Sequence, residues 1–361
     1  MYFDPRPKKN REDFYDREKE LKEFDKALKS SPMVVITGIR RLGKTSLILV
    51  GLENVPSVLI DMRGVPQSRE GIYRRVEASL NEFFRKNGSI WREVKRGLRR
   101  ITGVQVLGSG ISLAWGEKRA DLTELFGSLK NHGVVVVFDE VQYARGPLGK
   151  KLAETLAYLY DYTDLRLVLS GSEVGLLYDF LGTDDPNAPL YGRYFREIKL
   201  ERFDESKSIG FLRKGFEQAG LRVDEDILKL AYEKLDGIVG WLVHFGLKFI
   251  ETGNKEEVIE EVVEEASNLV LEELNNFLEK HKPAEKRFFE VLRAVAIGKS
   301  SWQEIKGYME SIERRSIPDA SLGRVLRGLL RASFLEKVVE GRNIRYKIPD
   351  PILEHVVAKA K

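Results

Sequence analysis

The residues with the clearest chemical meaning lie early in the chain. Gly38, Gly43, Lys44 and Thr45 fit the spacing G-x-x-x-x-G-K-[ST] within the segment GIRRLGKTS. The two glycines let the backbone wrap closely around an anion, so that its N–H groups face phosphate oxygens. The lysine is placed to pair with β- and γ-phosphates, and the threonine hydroxyl to ligate Mg²⁺. The segment predicts a nucleotide-binding loop made of Gly38, Ile39, Arg40, Arg41, Leu42, Gly43, Lys44, Thr45 and Ser46.

The local context of this loop supports the same interpretation. The apolar run MVVITG precedes it and predicts a buried strand, and GKTSLILVGL has helical character. The order strand, loop, helix presents the positive end of a helix dipole to the bound phosphate. A solvated lysine in a surface glycine turn is the alternative, and this context makes it the weaker one.

An acidic pair supplies the second half of the predicted site. Asp139 and Glu140 end the run VVVVFDE, a continuous β-branched strand of the kind that is buried on both faces of a parallel sheet. Ligands bind outside the carboxyl ends of such strands. We expect Asp139 to hold Mg²⁺ together with Thr45, and Glu140 to polarise the attacking water. With Lys44, these residues predict hydrolysis of a nucleoside triphosphate.

Two further side chains are candidates for the same reaction. Ser170 and Ser172 end the strand LRLVLSGS, where a hydroxyl could orient water or touch the γ-phosphate. Arg193 follows Tyr191-Gly192 and could meet the γ-phosphate as an arginine finger. Ordinary turn chemistry for the serines and a surface ion pair for the arginine stay open as alternatives.

Composition excludes several other functions. The 361 residues include no cysteine, which excludes disulfides, thiolate metal sites and cysteine nucleophiles, and four scattered histidines show no ligand spacing. No apolar run is long enough to span a membrane, and the charged first residues lack the apolar region of a secretory signal. We expect a cytoplasmic protein without a membrane partner.

The order of predicted elements gives the fold class. Strands alternate with helices up to about residue 203, which predicts an α/β core with a parallel sheet (residues 1–203). Two alternating runs around Gly108 and Gly110 predict a hairpin inserted into this core. Strand signals then stop, and residues 204–280 read as a helical lid. Residues 281–361 read as helices followed by a hairpin, which is the layout of a winged helix.

The C-terminal region is basic and offers a nucleic-acid partner. Residues 280–361 hold 18 Lys and Arg against 10 Asp and Glu. Arg324, Arg327 and Arg331 share one face of a predicted amphipathic helix, which in a winged helix enters the major groove. Arg342 and Arg345 lie on the predicted wing, within reach of phosphates. Docking of this face on a protein partner is the alternative.

Taken together, the motifs resemble the archaeal ATPase family in the STAND branch of AAA+ P-loop NTPases. The resemblance covers nearly the whole chain and is carried by FYDREKEL, GIRRLGKTSL, VVVVFDE, LVLSGS, PLYGRYFREIKL and RYKIPDPILEHVV. It implies an AAA+-like core, a helical lid, a C-terminal winged helix and ATP as the nucleotide. It also implies that Phe14, Tyr15 and Arg17 lie near the adenine, and that Arg193 senses the γ-phosphate. In the lid, Val239 stands where relatives carry a proline.

Three functions are consistent with these observations. The first is an ATPase switch, in which binding and hydrolysis of ATP move the lid and the winged helix, acting on DNA, on a protein partner or within a homo-oligomer. The second is a DNA-binding regulator whose bound nucleotide is structural and whose turnover is negligible. The third is a small-molecule kinase, which the adjacent acids and the large C-terminal region disfavour.

Overall fold

The structure is a computed structural model that describes residues 1–253, 257–341 and 343–359. The chain forms two compact units. The first, which we call the sheet unit, contains Lys8–Gly38 and Lys44–Leu200. The second, the helical unit, contains Met1–Pro7, Ile39–Gly43 and Glu201–Lys361. The main boundary therefore lies close to the expected residue 203, but the first seven residues and the middle of the phosphate-binding loop group with the helical unit.

The sheet unit alternates helices and strands along most of its length. Its elements are α1 (Glu18–Ser30), β1 (Met33–Thr37), α2 (Lys44–Gly51), β2 (Ser57–Asp61), α3 (Arg69–Lys86), α4 (Gly88–Leu98), β3 (Val104–Leu107), β4 (Gly110–Leu113), α5 (Leu122–Gly127), β5 (Val135–Asp139), α6 (Gly146–Tyr162), β6 (Arg166–Gly171), α7 (Val174–Leu181) and β7 (Arg196–Lys199).

Five of these strands form one sheet in the order β2-β5-β6-β1-β7, and every neighbouring pair is parallel. All residues of β1 and β5 are buried, as expected for β-branched central strands covered on both faces. Because the strands are parallel, their carboxyl ends share one edge, and β6 separates β1 from β5. The predicted parallel α/β core is confirmed, and this topology brings the ends of β1, β5 and β6 together.

The predicted hairpin insert is also present. Strands β3 and β4 pair antiparallel, and the hairpin packs on α3 through Asn81, whose side chain accepts from the backbone N–H of Ile111 and donates to its carbonyl, at 2.7 and 2.9 Å. Helix α4, which the sequence analysis did not predict, precedes the hairpin.

The described residues of the helical unit form eight α-helices and two strands. They are α8 (Glu205–Gln218), α9 (Glu225–Leu235), α10 (Val239–Thr252), α11 (Val258–Glu279), α12 (Glu285–Ala296), α13 (Trp302–Glu313), α14 (Asp319–Arg331), β8 (Glu336–Glu340), β9 (Asn343–Lys347) and α15 (Pro351–Lys359). Phe3 is buried against Phe216, with the ring centroids 5.0 Å apart. Gly215 and Gly246 leave room for this ring, because a Cβ at either position would lie within 2.6 Å of it.

The last part of this unit has the predicted winged-helix layout. Helices α12, α13 and α14 are followed by the antiparallel pair β8 and β9. Helix α13 begins with a capping box between Ser301 and Glu304, and the backbone N–H of Tyr346 in β9 donates to the Ser300 carbonyl at 2.7 Å. Across the whole described chain, no helix is both long and apolar enough to cross a bilayer.

Candidate nucleotide site

The phosphate-binding loop has the backbone that its glycines predict. Gly38 and Gly43 have φ values of +140° and +91°, which non-glycine residues rarely adopt, and Arg41 lies in the left-handed region at +67°. Helix α2 begins at Lys44, directly after the loop. The Lys44 side chain is buried, and its Nζ donates to the Gly38 carbonyl at 2.9 Å. The lysine thereby closes the loop on itself at the carboxyl end of β1.

Asp139 is held by two hydroxyl groups. The side chain is fully buried, and Thr45 Oγ1 of α2 donates to its Oδ2 at 2.7 Å. Ser170 Oγ, at the end of β6, donates to the other carboxylate oxygen. The position of β6 between β1 and β5 explains why a serine from this strand reaches the acid. The structure thus brings together three of the residues that the sequence reading selected.

Glu140 has a more elaborate set of partners. It adopts a left-handed backbone conformation with φ of +54°, and its N–H donates to Ser170 Oγ at 3.3 Å. Its Oε2 accepts from the Ser172 N–H at 2.9 Å, from Ser172 Oγ at 2.7 Å and from Gln142 Nε2 at 2.6 Å. Lys44 Nζ lies 3.7 Å from its Oε1. Strained backbone held by such contacts is common at functional sites.

The two neighbouring acids have pKa values displaced in opposite directions. Burial raises the pKa of Asp139 above its ordinary value, although the hydroxyls of Ser170 and Thr45 oppose the effect. Burial would also raise the pKa of Glu140, but Lys44 and the bonds from Ser172 and Gln142 outweigh it and leave that pKa lowered. Glu140 is therefore a buried, oriented carboxylate at neutral pH, as an acceptor for a water proton must be.

Sequence reasoning missed a second cationic side chain at this edge, Arg63. Arg63 Nη2 lies 2.8 Å from Asp61 Oδ2 and 3.9 Å from Asp139 Oδ2. Hydrogen bonding to Asp61 raises the pKa of the arginine, so it stays charged. The sequence did contain a signal for Arg63: it follows Asp61 by two residues, Asp61 ends β2, and β2 is the strand next to β5. Gln142, which orients Glu140, carried no recognisable sequence pattern.

The first residues of the sheet unit lie against helix α2. The backbone N–H of Lys8 donates to Ser46 Oγ at 3.0 Å. Phe14 and Arg17 are buried, Tyr15 is partly buried, and the Arg17 guanidinium pairs with Glu20 at 2.7 Å. The expected contact of Phe14, Tyr15 and Arg17 with adenine remains a prediction.

Arg193 lies apart from the cluster. It precedes β7 by three residues, at the edge where the parallel strands begin, whereas the phosphate-binding loop follows the end of β1. Its guanidinium binds the Asp161 carboxylate near the end of α6, with Nε at 3.1 Å from Oδ1, and this pairing raises its pKa. The topology does not bring Arg193 to the phosphate-binding loop of its own chain.

The two loop arginines have partners in the helical unit. Arg40 and Arg41 pair with Glu273 of α11 at 3.0 and 2.8 Å. The Arg41 guanidinium also lies 4.1 Å from the centre of the Trp241 ring on α10, and its carbonyl accepts from the Gly240 N–H at 2.9 Å. These contacts hold the middle of the loop on α10 and α11.

In the winged helix, Arg324, Arg327 and Arg331 of α14 are exposed, and the opposite face of the helix is buried. Arg345 of β9 donates to Ser300 Oγ at 2.7 Å, and its expected contact with phosphates remains a prediction. Arg342 lies outside the described residues.

The fold and this cluster define a P-loop ATPase, and comparison with known proteins gives the family. Residues 14–245, more than half of the chain, match the family described as an ATPase domain predominantly from Archaea. The chain belongs to this family. Residues 282–348 match the C-terminal winged helix-turn-helix domain of MCM proteins. The expected archaeal ATPase family and winged helix are both confirmed.

Three relatives illustrate the similarity. The Walker-type ATPase PABY2304 of Pyrococcus abyssi is 33% identical, with a TM-score of 0.82 and 99% of each chain covered. The ORC2 protein of Aeropyrum pernix, solved in ADPNP–ADP complexes, shares the fold at 14% identity, with a TM-score of 0.58 and 95% and 93% of the two chains covered. The uncharacterized protein MJECL04 of Methanocaldococcus jannaschii is 24% identical over 349 residues, which are 93% of this chain, and the chain spans 66% of that relative.

Proposed function

We propose that the protein is a Mg²⁺-dependent ATPase whose nucleotide state controls its helical unit. The observation that supports this most strongly is the convergence of Lys44, Thr45, Asp139 and Glu140 at one edge of the sheet, with contacts of 2.7 Å between Thr45 and Asp139 and 3.7 Å between Lys44 and Glu140. Family membership supports ATP as the nucleotide.

The residues present fit a magnesium ion. Thr45 Oγ1 and the Asp139 carboxylate are hard oxygen donors in direct contact, and Mg²⁺ is usually held by one or two such groups together with substrate phosphates. When bound, the ion supplies neutralisation of phosphate charge. The raised pKa of the buried Asp139 fits this role, because burial makes the ionised carboxylate costly and a bound cation would offset that cost.

Side chains of the protein perform the other steps of phosphate binding and hydrolysis. Lys44 supplies a buried positive charge next to the loop carbonyls, where β- and γ-phosphates bind. Glu140, held by Ser172 and Gln142, orients water and accepts its proton. Ser170 fixes the direction of Asp139 and the backbone of Glu140. Because these groups are preorganised, the site stabilises charge without rearranging first.

The switch itself is supported by the loop arginines. A loop that changes conformation with the nucleotide would change the contacts of Arg40 and Arg41 with Glu273 and Trp241. Nucleotide state would then alter the helices of the predicted lid, residues 204–280, and through them the winged helix. The coupling energy would come from phosphate contacts made in one state only.

Phosphate release and hydrogen exchange test the two parts of this proposal. ATP turnover should require Mg²⁺ and stop with excess chelator, and ATP should change amide protection in α10 and α11 relative to ADP. Turnover that persists without a divalent cation would refute the metal assignment. Equal protection with both nucleotides would refute the switch and leave the ATPase intact.

A second candidate function is a DNA-binding regulator with negligible turnover. It is favoured by the exposed arginines of α14 and by the match of residues 282–348 to an MCM winged helix. Duplex DNA binding that is lost in Arg324→Glu/Arg327→Glu/Arg331→Glu, together with absent phosphate release, would favour it. Turnover that DNA stimulates would unite the two functions. If the chain neither binds duplex DNA nor changes its turnover with DNA, a protein partner is left as the target of the α14 arginines.

Arg193 can serve the reaction only through a second copy of the chain, given its position at the far edge of the sheet. We propose this role only together with a homo-oligomer. If it holds, turnover per chain should rise with protein concentration and Arg193→Ala should abolish the rise; turnover independent of concentration would refute it.

A further inference from the structure

A second basic segment lies far from the winged helix in sequence. Residues 85–119 hold nine Lys and Arg against two acids, a net charge of +7 in a chain whose total is +4. The nine are Arg85, Lys86, Arg92, Lys95, Arg96, Arg99, Arg100, Lys118 and Arg119. The segment comprises α4 and the β3–β4 hairpin. None of the residues of the candidate nucleotide site lies in this segment.

Helix α4 separates its charges from its apolar residues. Ile90, Trp91, Val94 and Leu98 are buried, with the Trp91 ring 4.9 Å from that of Phe84. The other side of the helix carries three cations at three- and four-residue steps, and Arg99, directly after the helix, continues the same row on that face. We call this the α4 basic face, formed by Arg92, Lys95, Arg96 and Arg99.

The charges on this face are not neutralised by the protein. Within the described ranges, no acidic side chain lies in ion-pair distance of any of these four cations. The one acid of the helix, Glu93, pairs instead with His132 at 3.5 Å. Like charges at these spacings are unfavourable for a helix. Arg92, Arg96 and Arg99 are exposed and Lys95 is half-buried, so the concentration of charge on this face indicates an external anion.

The chain after the hairpin adds two more cations, Lys118 and Arg119, to this basic segment. A Cβ on Gly103 would lie 2.4 Å from the Lys118 carbonyl and 2.7 Å from the backbone of Arg119, so the backbone of this second basic pair lies against Gly103, three residues after Arg100. The Ala114 N–H donates to the Gly103 carbonyl at 2.8 Å, which fixes the chain next to Trp115. The Trp115 side chain is 42% exposed. Trp115 therefore adds an exposed indole to the same basic segment, three residues before Lys118. Cations and an exposed aromatic ring are together the groups that bind phosphates and unpaired bases of a single strand.

We propose that the α4 basic face and Trp115 bind single-stranded DNA. The cations contact successive phosphates, and the indole stacks on a base. An anionic membrane fits poorly, because the apolar face of α4 is buried in the core and is not available for insertion. The proposal is independent of the ATPase, since it uses no residue of the nucleotide site.

Fluorescence anisotropy with a labelled 20-nucleotide single strand and the full chain tests the proposal. Arg92→Glu/Arg96→Glu/Arg99→Glu should lower the slope of log affinity against log salt by about 2 and raise Kd roughly 100-fold at 0.1 M salt, from ~0.7 counterions per lost contact. Trp115→Ala should raise Kd roughly tenfold, with Trp115→Phe close to wild type.

Two matched variants identify the surface. Lys19→Glu/Lys22→Glu/Lys26→Glu reverses three exposed cations on one face of α1 in the same unit, and it should change Kd less than about threefold. Arg324→Glu/Arg327→Glu/Arg331→Glu should leave single-strand affinity similarly unchanged. Melting temperature and DNA-free phosphate release should stay at wild-type values in the α4 variant.

Three results would overturn the proposal. One is equal loss of affinity in the α1 control, which would mean that only net charge matters. Another is loss confined to the α14 variant, which would assign binding to the winged helix. The third is tighter binding of the duplex than of the single strand with Trp115→Ala unchanged, which would remove the stacking role.

Discussion

Replacing Ser170 by alanine should destabilise the sheet unit more than replacing Ser172. Ser170 Oγ is fully buried, donates to Asp139 and accepts from the Glu140 N–H. Its removal leaves a charged acceptor and a backbone donor without this partner. A hydrogen bond to a buried charged group contributes ~1.5–3 kcal/mol, so we expect a loss of about 2–3 kcal/mol.

Ser172 is the matched control. Its hydroxyl also bonds a buried carboxylate, but Glu140 Oε2 keeps the Ser172 N–H and Gln142 Nε2 after Ser172→Ala. Because the acceptor remains satisfied, the loss should be about 1 kcal/mol. For a unit of this size, 1 kcal/mol corresponds to ~2–4 °C in Tm. Ser170→Ala should therefore lower Tm by about 4–12 °C and Ser172→Ala by about 2–4 °C.

The effect of Ser170→Ala should depend on pH in one direction. Burial already raises the pKa of Asp139, and the Ser170 hydroxyl opposes that rise by stabilising the ionised form. Without the hydroxyl, the pKa rises further. The destabilisation is complete above the folded-state pKa of Asp139 and shrinks as pH falls through it, because a protonated carboxyl no longer needs that donor.

Differential scanning calorimetry of the full chain, with Ser170→Ala, Ser172→Ala and wild type compared between pH 8 and pH 5, measures these differences. The reasoning is refuted if the two variants lose equal Tm. A Tm gap between Ser170→Ala and wild type that widens as pH falls would refute the assigned direction of the Asp139 pKa.

Three other perturbations have definite expected outcomes. Lys44→Ala should abolish ATP binding or turnover, because it removes the only described cation within 4 Å of Glu140 and the hydrogen bond to the Gly38 carbonyl. Isothermal titration with ATP measures the change, and unchanged affinity would exclude the loop as the phosphate site. Glu273→Gln removes the ion pairs with Arg40 and Arg41, so it should speed amide exchange in residues 39–43. It should also weaken ATP binding about fivefold, which corresponds to about 1 kcal/mol for partly exposed ion pairs. Unaltered exchange would contradict the role of these ion pairs. Hydrogen bonds from Arg287, the larger cause, and from Arg315 lower the pKa of Glu313 to about 2. The stabilisation that ionised Glu313 gives the folded state is therefore complete above its ordinary pKa of 4.5 and is lost as pH falls towards 2. Glu313→Gln should accordingly cost on the order of 1 kcal/mol at pH 7 after solvent screening and almost nothing at pH 2, and an equal Tm loss at both values would refute it.

The fold was largely readable from the sequence because its signals are local. Glycines at 38 and 43, the apolar run before them and the two acids that end VVVVFDE each have one simple structural meaning. A parallel sheet then brings the ends of these strands together. The winged-helix layout followed from amphipathic periodicity in α14 and from a turn between two alternating runs. These inferences required no knowledge of distant contacts.

The remaining features depend on tertiary contacts that no local pattern encodes. Gln142 orients Glu140 only because the chain turns back after a left-handed residue. Arg40 and Arg41 belong to the helical unit because Glu273, more than 200 positions later, pairs with them. The position of Arg193 at the opposite edge of the sheet follows from strand direction, which was available from the sequence but was not applied to that residue.

The measurement that tests the central claim most directly is ATP hydrolysis by Glu140→Gln, with ATP affinity determined on the same preparation. Glutamine preserves an oxygen for Ser172 and Gln142 but cannot accept a proton from water. We predict ATP affinity within about threefold of wild type and a fall in phosphate release of at least ~100-fold, the lower range for loss of a general base. Phosphate release at the wild-type rate would contradict the account, since another group would then have to position the water.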